Sequence, residues 1–180
     1  MSMVKVRAGS MPDAKANLFL GLAISVLIII LDQFTKYLAV QELALYESIP
    51  VFSGFNITLT HNTGAAFSFL SQAGGWQRFF FIGLGSVVSI VLVLWMKSLT
   101  KDKKCLFFAL ALVLGGVIGN VWDRINYGYV IDFIDVSLGF IPLKVFNPWP
   151  TFNIADSAIF IGAILLIIDA IWLNDGENDS

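Results

Sequence analysis

The chain has 180 residues, of which 57% are apolar and only 13% charged, with a formal net charge of −2 and a mean hydropathy of +0.81. A soluble domain carries about a quarter charged residues, so this composition excludes an ordinary water-soluble globule and reads as one integral membrane domain. A pI of about 5.2 removes the basic footprint of a nucleic-acid binder, and one cysteine (Cys105) with one histidine (His61) excludes an internal disulfide and leaves little for a zinc site.

The first 16 residues form a basic leader holding Lys5, Arg7 and Lys15. Ala8-Gly9-Ser10 stands directly before a second candidate start, Met11, and the leader up to Ser10 is assigned no function. The first apolar span runs from Asn17 to about Val40, long enough for the roughly 20 helical residues that cross hydrocarbon. Its run Leu18–Leu31 behind a basic leader also suits a signal-peptide core. The helix, however, must continue through Asp32-Gln33-Phe34-Thr35-Lys36, a polar turn out of place in a discarded peptide.

Beyond the first span, Phe55–Thr60 alternates apolar and polar residues, the pattern of a half-buried strand. Asn62-Thr63-Gly64 follows as a turn, and the mostly apolar stretch Ala65–Leu70 leads back toward the membrane. Three more spans follow, at Gln77–Met96, Cys105 to about Asp123, and about Ala155 to Leu173, before an acidic tail over 174–180. Trp76, Trp95, Trp122 and Trp172 fall at span ends, where the amphipathic indole sits at headgroup level. The expected fold is all-α, four transmembrane helices with a small β-sheet in the outer loops, over a single domain at 17–173.

Orientation follows from lysine and arginine in short loops. The leader and the Lys97, Lys101, Lys103, Lys104 loop are basic, whereas no lysine or arginine lies between Tyr37 and Gln77 and only Arg124 and Lys144 lie between spans three and four. Both termini are therefore expected in the cytoplasm and the two large loops outside. This topology gathers polar residues at one level. Asp32 and Lys36 form an i, i+4 pair, Asp123 lies roughly 27 Å up the third span, and Asp156 begins the descent of the fourth. Ionisable groups inside a membrane protein mark a site by default.

Ser/His hydrolysis finds no support, because no serine sits in a G-x-S-x-G elbow and His61 reads as a polar residue of the loop surface. Cys105, at the opposite end, reads as a buried structural thiol. A carboxylate pair can share one proton, the ionised acid activating water while the protonated acid polarises a carbonyl, with no metal and no cofactor. On spacing alone a plainer alternative stands beside it: Asp123 pairs with Arg124 or a neighbour, and Asp156 caps the fourth helix.

Five blocks resemble the bacterial lipoprotein signal peptidases (type II signal peptidases): Asp32-Gln33-Phe34-Thr35-Lys36, Asn62-Thr63-Gly64-Ala65-Ala66-Phe67, Gly119-Asn120-Val121-Trp122-Asp123-Arg124, Gly128-Tyr129-Val130-Ile131-Asp132-Phe133 and Phe152-Asn153-Ile154-Ala155-Asp156-Ser157. They occur in the family's order on a four-span topology. The resemblance implies an aspartic endopeptidase of the bacterial inner membrane, active near its outer face on diacylglyceryl-modified prolipoproteins. It also implies contact with membrane lipids and inhibition by globomycin-type peptides; a monomer is expected. It implies a dyad of Asp123 and Asp156, with Asn62, Gly64, Asn120, Arg124 and Asn153 positioning substrate and acids, Asp32 and Lys36 bracing the site, and Asp132 supporting the outer loop. The segment from Asp135 to Thr151 is longer than is common, which leaves the candidate acids 33 positions apart. Two other classes remain possible from sequence: a proton-coupled transporter or channel using Asp32, Asp123 and Asp156 as a relay, and a non-catalytic lipoprotein-binding factor.

Overall fold

An apolar register that persists past its polar turn carries the first helix, α1, over Met11–Glu42 in the computed structural model, which describes residues 11–64, 74–100, 103–137 and 149–173. The leader to Ser10, the stretch from Ala65, Lys101, residues 138–148 and the tail lie outside the described residues. Helix α1 survives Asp32–Lys36 because that turn finds internal partners: Thr35 donates back to Leu31 O at 2.8 Å, and Asp32 and Lys36 are almost fully buried. The other spans are α2 (Gln77–Ser98), α3 (Lys104–Asn126) and α4 (Ile154–Ile168), the last ending in a π-helical turn at Asp169–Leu173. All four are long and apolar enough to cross a membrane.

Helix α3 is the centre, packed by α1, α2 and α4. Lipid tails are as apolar as leucine, so helix association relies on close packing and interhelical hydrogen bonds. The sequence of α3 supplies both. A side chain on Gly115 would collide with Ile28 and Ser25 O of α1, one on Gly116 with Ala155 O of α4, and one on Gly119 with the Asp32 carboxylate. Ser25 donates across to Ala111 O at 2.8 Å. Phe19, Ile30, Phe79, Ile90, Leu94 and Phe160 meanwhile point outward, each more than half exposed. In water this would be an inverted protein; in a bilayer it is the expected arrangement.

Three antiparallel strands close one end of the bundle in the order β1 (Ser48–Phe52), β2 (Phe55–Asn62), β3 (Val130–Val136). The β1–β2 turn passes through Gly54 at φ +84°, a conformation glycine adopts without strain. Strand β2 pairs with β3 through Thr60↔Asp132 and His61↔Ile131, after a register shift beyond Ile57. Because strand side chains alternate, this register gives the sheet two faces. Leu59, Ile131 and Phe133 pack with Ala39 and Leu43 near the end of α1, while Thr60, Asn62 and Asp132 turn to the other side, where Thr60 meets Thr151 at 2.6 Å. Asn62 closes the predicted turn by accepting from Gly64 N at 3.0 Å.

The helix packing predicts an asymmetry between glycines. Gly116→Ala drives a methyl group into Ala155 O and should cost about 1–3 kcal/mol, lowering the thermal midpoint in detergent. Gly83→Ala, at a helical site where nothing lies within 4 Å, should hold or raise that midpoint, since alanine is favoured over mid-helix glycine by about 0.5–1 kcal/mol.

Candidate active site

The charged and amide side chains singled out in the sequence converge where α1, α3, α4 and the sheet meet. Lys36 is their centre. Its ammonium lies 2.8 Å from Asp32 Oδ2 and 2.8 Å from Asp123 Oδ2, and donates to Asn120 Oδ1 at 3.2 Å. Its three protons are therefore all taken. Asp32 uses its other oxygen to accept from Ala155 N at 2.9 Å, holding the first turn of α4. Asp123 accepts further from Gln33 Nε2 at 2.8 Å and from Ile131 N at 3.1 Å. It is 0% exposed.

Helix α4 begins with a reciprocal cap. Asn153 accepts from Asp156 N at 2.8 Å, and Asp156 Oδ2 accepts from Asn153 N at 3.3 Å, the capping-box arrangement that satisfies two otherwise orphaned donors. Asn153 also donates to Asp132 Oδ1 at 2.7 Å. Asn62 holds the other Asp132 oxygen at 3.1 Å, and Asn120 donates to Asp156 Oδ1 at 2.7 Å. One asparagine thus bridges two carboxylates, each held by a further neutral amide. Asp132 is 1% exposed. Burial, first, and the neighbouring Asp156 charge push its pKa up to about 7, against the pull of Asn62, Lys36 and Asn153.

Arg124 completes the cluster. Its guanidinium donates to Gly64 O at 2.6 Å and to Asn120 O at 3.3 Å, and rests 4.8 Å from the centre of the Phe81 ring. Its Nε is buried without a partner among the described residues. The guanidinium charge acts on Asp156, Asp132 and Asp123.

Every residue assigned to the site from sequence is here: Asp32, Lys36, Asn62, Gly64, Asn120, Asp123, Arg124, Asn153 and Asp156. Their pairing differs from the expectation. Sequence reasoning set Asp123 against Asp156 and gave Asp132 to the loop; the geometry gives Asp123 to Lys36, Gln33 and the β3 backbone, and sets Asp132 against Asp156. In the plainer alternative Asp123 pairs with Arg124 or a neighbour and Asp156 caps α4: the cation beside Asp123 is that neighbour, Lys36, and Asp156 belongs to the cap of α4. Gln33, quoted in the first resembling block but given no role of its own, bridges Asp32, Gly119 O and Asp123. His61 lies in strand β2, half-buried and stacked on Tyr129 at 3.9 Å, not on a loop surface, and burial lowers its pKa. Cys105 is half-buried, not buried, with its sulfur 3.9 Å from Leu165 O at the far end of the bundle.

The family model of signal peptidase II (SPase II) matches residues 24–172. The chain belongs to the signal peptidase II family. The chain is 51% identical to the lipoprotein signal peptidase of Alteromonas mediterranea over 156 residues, 87% of this chain and 82% of that one. It is likewise 51% identical to that of Acinetobacter baumannii over 168 residues, covering 89% and 92%. Two solved structures of bacterial membrane enzymes share its fold at 33% identity. One has a TM-score of 0.76 over 89% of this chain and 92% of its own; the other has 0.71 over 85% and 93%. Signal peptidase II enzymes remove signal peptides from prolipoproteins, so the chain is a peptidase of a bacterial membrane, and nothing favours the transporter.

Two predictions follow from the electrostatics of this signal peptidase II site. Asp123→Asn removes one of two carboxylates from a buried ammonium and should destabilise the fold by about 3 kcal/mol, read as a lower thermal midpoint in detergent. Asp132 acts with the opposite sign. Its folded pKa lies above its unfolded value, so no penalty exists below about pH 4, the penalty grows as pH rises toward 7, and it is complete above 7. Asp132→Asn should therefore raise the midpoint at pH 8 more than at pH 5.

Proposed function

We propose that this signal peptidase is an aspartic endopeptidase whose catalytic pair is Asp132 and Asp156. The bridge through Asn153 is the observation that carries this reading. Two carboxylates so close cannot both ionise cheaply, so the pair holds one proton between them. The ionised member takes a proton from water as the water attacks the scissile carbonyl, and the protonated member donates to the carbonyl oxygen. Collapse of the tetrahedral intermediate then returns a proton to the leaving amine. Asp123 is poorly suited to this cycle, because a cation at 2.8 Å already compensates its charge.

The neighbours have distinct roles in this reading. Asn62 and Asn153 orient the Asp132 carboxyl, and Asn120 orients Asp156. Arg124 ties the turn at Gly64 to α3 and supplies positive potential for the developing oxyanion. The substrate is a prolipoprotein bearing diacylglycerol on the cysteine after the cleavage site, and globomycin-type peptides occupy the same place. Each buried methylene of the acyl chains contributes about 0.8 kcal/mol, so lipidated precursor binds far better than unlipidated. The lysine and arginine asymmetry puts both termini in the cytoplasm and the acid pair near the outer face of the inner membrane, and the enzyme acts as a monomer.

Cleavage of a purified diacylglyceryl-prolipoprotein tests the assignment. Asp132→Asn and Asp156→Asn should each abolish turnover while remaining folded, and the double variant should be no worse, because residues acting as one unit are not additive. The wild-type pH–rate profile should be bell-shaped. The folded fraction of Asp123→Asn should keep measurable turnover. An active Asp132→Asn beside a well-folded but inactive Asp123→Asn would sink the assignment and return the pair to Asp123 and Asp156.

A further inference from the structure

Behind the sheet, on the face away from Asp132, lies a cavity of about 430 Å³, within the range of small-ligand sites. The end of α1 forms one wall, and Leu59 and Ile131 of the sheet form another. The β2–β3 register that turns Asp132 toward Asp156 turns His61 and Ile131 toward this cavity, so the cavity and the acid pair lie on opposite faces of the sheet, with Gln33 and Lys36 between them.

Its chemistry is one-sided. Tyr37, Tyr127, Tyr129 and His61 bring four aromatic rings to it. Tyr129 stacks between His61 at 3.9 Å and Tyr127 at 6.1 Å, and burial lowers the His61 pKa. Gln33 spends its amide NH2 on Asp32, Gly119 O and Asp123. That leaves its oxygen, which accepts from no described residue, as the amide atom available to the cavity. Lys36 also lines the cavity, but its ammonium is fully taken by Asp32, Asp123 and Asn120. Behind the wall, two carboxylates, Asp32 and Asp123, share the single ammonium of Lys36. Aromatic rings, an acceptor oxygen and surplus carboxylate together suit a cationic nitrogen that still carries N–H groups.

The position names the source. Tyr37, Val40 and Gln41, all exposed, rim the cavity on the last two turns of the apolar span Leu18–Glu42. A span ends where hydrocarbon gives way to headgroups. We propose that this cavity binds the primary ammonium headgroup of an ethanolamine-type phospholipid, with the phosphate outside the mouth and the acyl chains along α1 beside Phe34 and Leu38.

The test uses full-length, delipidated protein in detergent, titrated with dihexanoyl-phosphatidylethanolamine or dihexanoyl-phosphatidylglycerol and read by native mass spectrometry. The ethanolamine lipid should bind about tenfold more tightly than the glycerol lipid, and the Tyr37→Leu/Tyr127→Leu variant should erase most of that preference. Both tyrosines are more than half exposed, so folding should survive. Tyr37→Phe/Tyr127→Phe, which keeps the rings, should retain the preference. Equal affinity for the two lipids, or a preference untouched by the leucine variant, would overturn the site. Free phosphoethanolamine binding as tightly as the lipid would overturn the lipid as its source.

Discussion

One buried ammonium holds the working end of this molecule together. Lys36 is 1% exposed and draws Asp32 of its own helix and Asp123 of α3 onto a single point. An unpaired charge there would cost several kcal/mol, so both carboxylates are fixed, and each has a second task. Asp32 holds Ala155 N at the start of α4, and Asp123 holds Ile131 N in β3. Asp156 is the next residue after Ala155, and Asp132 the next after Ile131. The positions of both proposed catalytic acids thus follow, at one peptide's remove, from the ion cluster on Lys36.

Close helix packing makes that cluster possible. Gly119 leaves room for the Asp32 carboxylate itself, since a side chain there would stand 2.8 Å from Asp32 Oδ2. Gly116 lets the backbone of α4 approach α3 at Ala155, the residue whose N–H the cluster binds. Small residues on α3 and acids on its neighbours therefore form one arrangement, and apolar bulk is kept for the lipid-facing sides.

The spans were legible because hydropathy over 20 residues is a strong signal, and β2 because its alternation is clean. Strands β1 and β3 were harder. Ser48–Phe52 contains Pro50, which weakens a strand pattern, and in β3 Val130–Phe133 is buried on both faces and shows no alternation. The site was legible as a set of residues but not as a set of pairs. Helical rise places Asp123 and Asp156 at similar heights and says nothing of Asp132, which returns to that level through the turn at Tyr127–Gly128 and a strand. Whether Asp132 or Ile131 faces the helices depends on the β2–β3 register after a shift beyond Ile57, and nothing in the sequence fixes that register. The role of Gln33 escaped for a related reason, because an uncharged neighbour of an acid carries no signal until its partners are known.

Asn153 begins helix α4 and also hands a proton donor to Asp132. Serine and aspartate begin helices about as well as asparagine, so a search for heat-resistant variants would treat the three as interchangeable at this position. Neither replacement carries an amide nitrogen. Aspartate would place a third carboxylate against the other two, and serine would leave one oxygen of Asp132 unheld. Robustness and turnover are thus tied together at Asn153, and directed evolution toward stability would have to pass around it.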